Sequence, residues 1–441
     1  MLDRTSPLRG SVPKLLLAGL LALLVFYALS QPRVSFGEGH PYDSQSYFHM
    51  AQQVAAGQPV EELRPFASRV ALPWLVGKLF PDHLMTGFTV LNLAFGAGGL
   101  ILLGLYLREF LRSDALILAL LILAVSSPNF PFRFVFYLPA YADPAALFFM
   151  LLLLVLNRRI TGLDAKSALF LGAIGFIGVL FRELVFCAVL LVCFCQAAKL
   201  RRQFPFMELR SLKTILLATV PLLATLAGIV LANALVVSTG DYRYQVQMLG
   251  VVNQLLQKTS IYPLAWCTAF GVLPGIILLR LNRRMLVFLG THQDVLLYLL
   301  GMALVAATAG FHTDRLVFWA YPAVLVLFGR VMETLPWSDT DRLRKVLFFA
   351  PLIVVQALAF RIFLPIPDDV NGALQNPGAA PMLVFSVYGD AANLGQLYAA
   401  SMLPGDRLVL LSQFVLAAAW FGLVIGIGSG PGRDGKKIPG A

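Results

Sequence analysis

The stretch from Ser167 to Ala198, SALFLGAIGFIGVLFRELVFCAVLLVCFCQAA, decides how this chain must be read. Its 32 residues are apolar apart from Ser167, Gln196 and one adjacent pair of ions, Arg182-Glu183, near the middle. A single helix carrying that pair through hydrocarbon would bear several kcal/mol of interior charge. Two short helices, 167–181 and 184–198, avoid the cost by placing the pair at a hairpin tip that faces water or protein. The stretch therefore reads as two membrane spans joined by a charged tip.

The whole chain supports that reading. Of 441 residues, 59% are hydrophobic and only 13% charged, against about 25% charged in soluble domains. An aromatic content of 12%, with no polar low-complexity tract, excludes disorder. The net charge of +11 raises the question of nucleic acid, but the basic residues fall in short clusters between apolar runs rather than on the face of a soluble domain. No nucleic-acid partner is expected. The four cysteines, Cys187, Cys193, Cys195 and Cys267, all lie inside apolar runs without metal-ligand spacing, so they read as small lipid- or core-facing residues.

Apolar runs able to cross a bilayer, with allowance for short or tilted helices, fall near 12–30, 84–107, 114–128, 143–157, 167–181, 184–198, 214–238, 262–280, 294–310, 316–332, 346–364 and 408–428. The first follows Arg4, Arg9 and Lys14 and has no small-x-small cleavage site after it, so it reads as an anchor rather than a signal peptide. With the N-terminus in the cytoplasm, 23 of the 34 Lys and Arg fall inside, which puts +13 on the cytoplasmic side and −2 on the other. That bias follows the positive-inside rule. The expected fold is an all-α, polytopic integral membrane bundle of about twelve helices. Residues 1–441 form one domain, both termini are cytoplasmic, and the protein is multi-pass in a plasma or inner membrane. Two long outer loops, 31–83 and 365–407, complete the scheme, and no repeat of 20–50 residues interrupts it.

Few ionisable residues lie near the centre of a span. Those outside the cytoplasmic clusters gather at the outer boundary: Asp43, Arg64, Arg69, Arg133, Asp143, Arg182, Glu183, Asp314 and Arg315. An ion-coupled transporter needs charge or broken helices at the midplane, so this distribution points to a polar site at the outer interface. In the first loop, residues 44–56 carry apolar side chains at helical spacing, with Tyr47, Met50, Ala51 and Val54 on one face. They read as an amphipathic helix on the membrane surface, with Asp43 at its start as either an N-cap or a working carboxylate. Arg69, in Pro65-Phe66-Ala67-Ser68-Arg69, is either a snorkelling anchor or a guanidinium fork for a phosphate. Asp143 before Pro144 is a cap or a site residue. Arg182-Glu183 is a self-satisfied pair at a hairpin tip or part of a shared site. Asp314-Arg315 lies in a short outer turn with the same two readings.

Taken in order, these elements resemble the GT-C superfamily of integral membrane glycosyltransferases. The resemblance is carried by Tyr42-Asp43 through Tyr47, the run from Pro65 to Pro73, Ala142-Asp143-Pro144, Arg182-Glu183, and Asp314-Arg315 before Tyr321-Pro322, and it covers roughly 14–330. It implies transfer of a hexosyl or pentosyl group from a polyprenyl-phosphate-linked donor to a glycan, lipid or protein acceptor at the extracytoplasmic face. It further implies Asp43 as the catalytic base or a metal ligand. Many members place paired acids there, whereas this loop offers a lone Asp43 with Glu38 and His40 upstream, which argues against a bound divalent metal.

In an inverting transfer, Asp43 would accept the acceptor hydroxyl proton. Arg69, Arg182 or Arg315 would stabilise the leaving phosphate, and Asp143 and Glu183 would bind sugar hydroxyls or orient the arginines. Two rivals stand beside this reading. One is a lipid-linked-glycan flippase or other multi-pass transporter. The other is a glycan polymerase or ligase, which the acidic 365–407 loop disfavours.

Overall fold

The computed structural model describes residues 33–41, 43–127, 138–160, 162–203, 210–239, 261–308 and 313–334, with isolated positions beyond them. The described chain is mostly helical. In order it comprises α1 (Asp43–Ala55), β1 (Val60–Glu62), a 3-10 turn at Phe66–Ser68, α2 (Ala71–Leu79), α3 (Leu84–Arg108), α4 (Asp114–Ser126), α5 (Asp143–Arg159), α6 (Ala165–Phe181), α7 (Val185–Gln203) and α8 (Arg210–Leu235). It continues with β2 (Val236–Ser238), α9 (Ile261–Phe270), α10 (Leu273–Leu279), α11 (Arg283–Thr291), α12 (Gln293–Thr308), α13 (Thr313–Phe318) and α14 (Tyr321–Thr334).

The long stretch at 167–198 is two helices, α6 and α7, that break at Arg182-Glu183 as expected from the cost of interior charge. Helices occupy every expected span between 84 and 332, but two of them are interrupted. The expected 262–280 helix stops at Gly271, which takes φ +59°, a left-handed conformation that costs glycine little. The expected 316–332 helix begins earlier, at Thr313, and breaks between α13 and α14.

Two described helices, Leu84–Arg108 and Leu216–Leu235, are long and apolar enough to cross a membrane, and the pair α11 and α12, bent by 92°, adds a third if taken as one span. The spans expected at 346–364 and 408–428, the 365–407 loop and most of 12–30 lie outside the described residues. The short parallel pair of β1 with β2, in register Val60 to Val236, was not foreseen. It ties the first loop to the end of α8, where Val236 and Val237 suit extended backbone.

A continuous buried core runs through α3, α5, α7, α12 and α14, with Phe88, Tyr106, Met150, Val189, Tyr298 and Phe328 all inaccessible or nearly so. The opposite faces of the same bundle expose Leu169, Phe170, Leu223, Val230, Leu278 and Leu304. Apolar surface on that scale marks a face meant for something other than water. Small residues permit close helix contact: a Cβ on Gly228 of α8 would lie 2.9 Å from the Phe176 carbonyl oxygen of α6.

Candidate active site

The amphipathic helix of the first loop is α1, which buries Tyr47, Met50, Ala51 and Val54 and lies against α2 and α3. Asp43 begins it. That placement leaves the carboxylate half-exposed, with Oδ2 3.6 Å from Nη1 of Arg315.

Asp143 opens α5, yet it does not cap it: the residue at the cap position is Ala142, and Pro144 follows within the first turn. The buried Asp143 carboxylate instead joins two arginines. Oδ1 pairs with Arg182, while Oδ2 accepts from Nη2 and Nε of Arg315 at 3.0 and 3.2 Å. The approach to α5 is held by Asn92 of α3, whose buried amide nitrogen donates to the carbonyls of Pro139 and Tyr141, both at 2.7 Å. The ring of Tyr141 lies 4.4 Å below the Arg315 guanidinium, and Trp319 lies 5.5 Å from that of Arg182. Both are geometries in which a ring face attracts a cation.

Arg182 and Glu183 are not a self-satisfied pair, because the hairpin tip turns each toward a different partner. Glu183 accepts from Arg69 through both oxygens, Nε to Oε2 at 2.8 Å and Nη2 to Oε1. The third nitrogen of Arg69, Nη1, donates to the Tyr47 hydroxyl at 2.8 Å. All three nitrogens of Arg69 are thus engaged by α1 and the hairpin tip, so it is a brace rather than an open fork.

The electrostatics follow from this packing. Burial pushes the Glu183 carboxyl up, but Arg69 and then Arg182 outweigh it and hold it below the usual range. Burial likewise opposes the charge on Arg69, and Glu183 reverses the effect. For Arg182 and Arg315, burial prevails and lowers the guanidinium below its ordinary value, a range in which arginine still keeps its proton at neutral pH. Burial raises the Tyr47 phenol despite Arg69.

Six of the seven sequence candidates therefore meet in one network. Asp43, Arg315, Asp143 and Arg182 alternate in sign along one line, and Arg69 with Glu183 forms a second branch reaching Tyr47. The seventh, Asp314, lies in α13, and its side chain is outside the described residues. Exposure grades from Asp143 and Arg182, at 5% and 8% of their side chains, through Arg315 at 20% to Asp43 at 37%. The open end of the network is thus the Asp43–Arg315 pair. On the Arg69 and Arg182 side of the network lies an apolar cavity of about 720 Å³ whose walls include Val70, Trp74, Phe149, Ile177 and Phe181, with Lys78 also on its lining. Val70 and Phe181 immediately follow and precede Arg69 and Arg182 in the chain.

Among the described residues, no group of three His, Cys, Asp or Glu side chains could hold a metal ion. His49 instead approaches Glu62 at 3.4 Å and Gln53 at 3.3 Å. Asn92, Tyr141 and Trp319 were not among the sequence candidates. Asn92 had a signal, as the one amide inside the 84–107 run; the two aromatics had none.

Scans against protein-family models, curated proteins and solved structures each find no match.

Proposed function

We propose that this protein is an inverting membrane glycosyltransferase. It would move a sugar from a polyprenyl-phosphate-linked donor to an acceptor hydroxyl at the extracytoplasmic face of a bundle of about twelve spans with cytoplasmic termini. The observation that carries the reading is the open end of the charge network, where a half-exposed carboxylate, Asp43, stands 3.6 Å from an arginine. A displacement at an anomeric carbon needs those two groups: one to accept a proton, one to receive negative charge.

In this reading Asp43 takes the acceptor hydroxyl proton as the new C–O bond forms on one face of the sugar. The bond from the anomeric carbon to the phosphate oxygen breaks on the other face, and the polyprenyl phosphate leaves with its electron pair. Arg315 receives that phosphate, since Arg69 is consumed by its partners and Arg182 is more deeply buried. Asp143 holds Arg182 and Arg315 through its two separate oxygens, and so fixes the guanidinium positions before substrate arrives. The apolar cavity lined by Val70 and Phe181, next in the chain to Arg69 and Arg182, suits a prenyl chain that reaches the site from within the bilayer.

The test is sugar transfer from polyprenyl-phosphate donors in membranes carrying Asp43→Asn at normal abundance. Loss of transfer is expected, and retained transfer removes Asp43 from the mechanism. Movement of labelled lipid across proteoliposomes with its covalent form unchanged would make the protein a flippase instead.

A further inference from the structure

The same helices that build the charge network carry a second polar cluster at their other ends. Asp143 and Arg158 lie 15 residues apart on α5, a rise of about 22 Å, so the two clusters sit near opposite edges of a hydrocarbon layer about 30 Å thick. The second cluster belongs to the side that the Lys and Arg bias assigns to the cytoplasm. There the last turn of α5, the end of α7 and the start of α12 enclose a small pocket of about 80 Å³ lined by Arg158, Lys199, Thr291, Gln293 and Asp294, and on its apolar flank by Phe194 and Leu297.

Its chemistry favours an anion. Lys199 spans the end of α5 by donating to the carbonyls of Asn157 and, at 3.1 Å, Ile160. Arg158 reaches the Asp294 carboxylate only at 3.4 and 3.5 Å, well beyond the roughly 2.7–2.9 Å of a strong charged hydrogen bond. Its Nε is buried without a partner, although the guanidinium is held over Phe110 at 4.7 Å. Two cations and the N-terminus of α12, whose dipole also favours negative charge, thus face a single carboxylate. One wall is apolar and open: Phe194 is 59% exposed. A lining that grades from cationic to outward-facing apolar over one small pocket matches a phospholipid, with its phosphate inside and its chains alongside the helices.

We propose that this pocket seats the phosphate of an anionic phospholipid from the cytoplasmic leaflet, with Arg158 and Lys199 as its cationic contacts and Phe194 flanking the acyl chains. The site is independent of the transfer chemistry proposed above. The attraction of basic inner-face pockets for anionic head groups is general; its location here is set by the ends of α5, α7 and α12.

Gln293→Glu provides the sharpest test. The change is isosteric, falls on an exposed residue at the start of α12, and suits the helix N-terminus, so the fold is retained. It also places a like charge beside the bound phosphate. The full-length protein in phosphatidylcholine nanodiscs would be titrated with phosphatidylglycerol, and retained lipid counted by native mass spectrometry. Wild type is expected to retain phosphatidylglycerol selectively, and Gln293→Glu to weaken that retention roughly tenfold, the effect of one partly screened charge at close range. Lys199→Gln should weaken it in the same direction. Equal retention by wild type and Gln293→Glu would overturn the proposal. Inorganic phosphate displacing the lipid at equal concentration would overturn the assignment to a lipid.

Discussion

Glu183→Gln removes the negative half of the Arg69 brace while keeping its shape. The Arg69 side chain is 8% exposed and that of Glu183 31%. Removing one partner of a fully buried pair costs about 3–5 kcal/mol, and an exposed pair contributes about 0–1 kcal/mol. Here the orphaned arginine stays buried, the lost carboxylate had partial access to water, and glutamine still accepts one of the two bonds. A loss of about 2 kcal/mol is expected. Urea unfolding in detergent micelles would measure it for the two single variants, Glu183→Gln and Arg69→Met, and for their combination. Because the two residues share one interaction, the double loss should fall short of the sum by at least about 1 kcal/mol. The pH dependence gives a second reading of the same pair. The Glu183 carboxyl is held below its ordinary value of 4.5, so the unfolded chain takes up the proton first as pH falls. The stabilisation is therefore complete above about pH 4.5 and lost below it as pH passes through the lower folded value. In Glu183→Gln that part of the acid loss disappears. Additive single losses, or an unchanged acid limb, would refute the brace.

The remaining expectations follow from single contacts. Asp43→Asn should reduce transfer at least about 100-fold through loss of the general base, while its half-exposed ion pair changes stability by less than about 1 kcal/mol; turnover and unfolding measured on one preparation separate the two. Arg315→Lys keeps the charge but loses the fork that meets both Oδ2 of Asp143 and the open end of the network, so KM for the lipid donor should rise while the unfolding midpoint stays close to that of the wild type. Asn92→Leu leaves the carbonyls of Pro139 and Tyr141 without their donor, and should cost about 2 kcal/mol and reduce transfer through displacement of Asp143. Gly228→Ala drives a methyl into the Phe176 carbonyl and should cost about 1–3 kcal/mol, read as a lower unfolding midpoint.

Much of the fold could be read from composition and spacing because the physical rules involved are local. The break at Arg182-Glu183 follows from the cost of charge in hydrocarbon, and α1 from the spacing of Tyr47, Met50, Ala51 and Val54. The interruption at Gly271 was missed because an isolated glycine within an apolar run permits a break without requiring one. The β1–β2 pair was missed because two three-residue segments, 174 or more positions apart, have no local signal for pairing.

The candidate site divides along the same line. The sequence by itself placed Asp43, Arg69, Asp143, Arg182, Glu183 and Arg315 at one boundary, since burial of isolated charge is costly and the apolar runs between them have limited length. It left each with a self-contained alternative: a cap for Asp143, a local pair for Arg182 and Glu183, an anchor for Arg69. Only the tertiary structure decided the pairing. Asp143 joins Arg182 to Arg315, and Glu183 lies with Arg69, 114 positions away. An ion removed from water takes the partner that packing brings within reach, and sequence adjacency does not determine which partner that is.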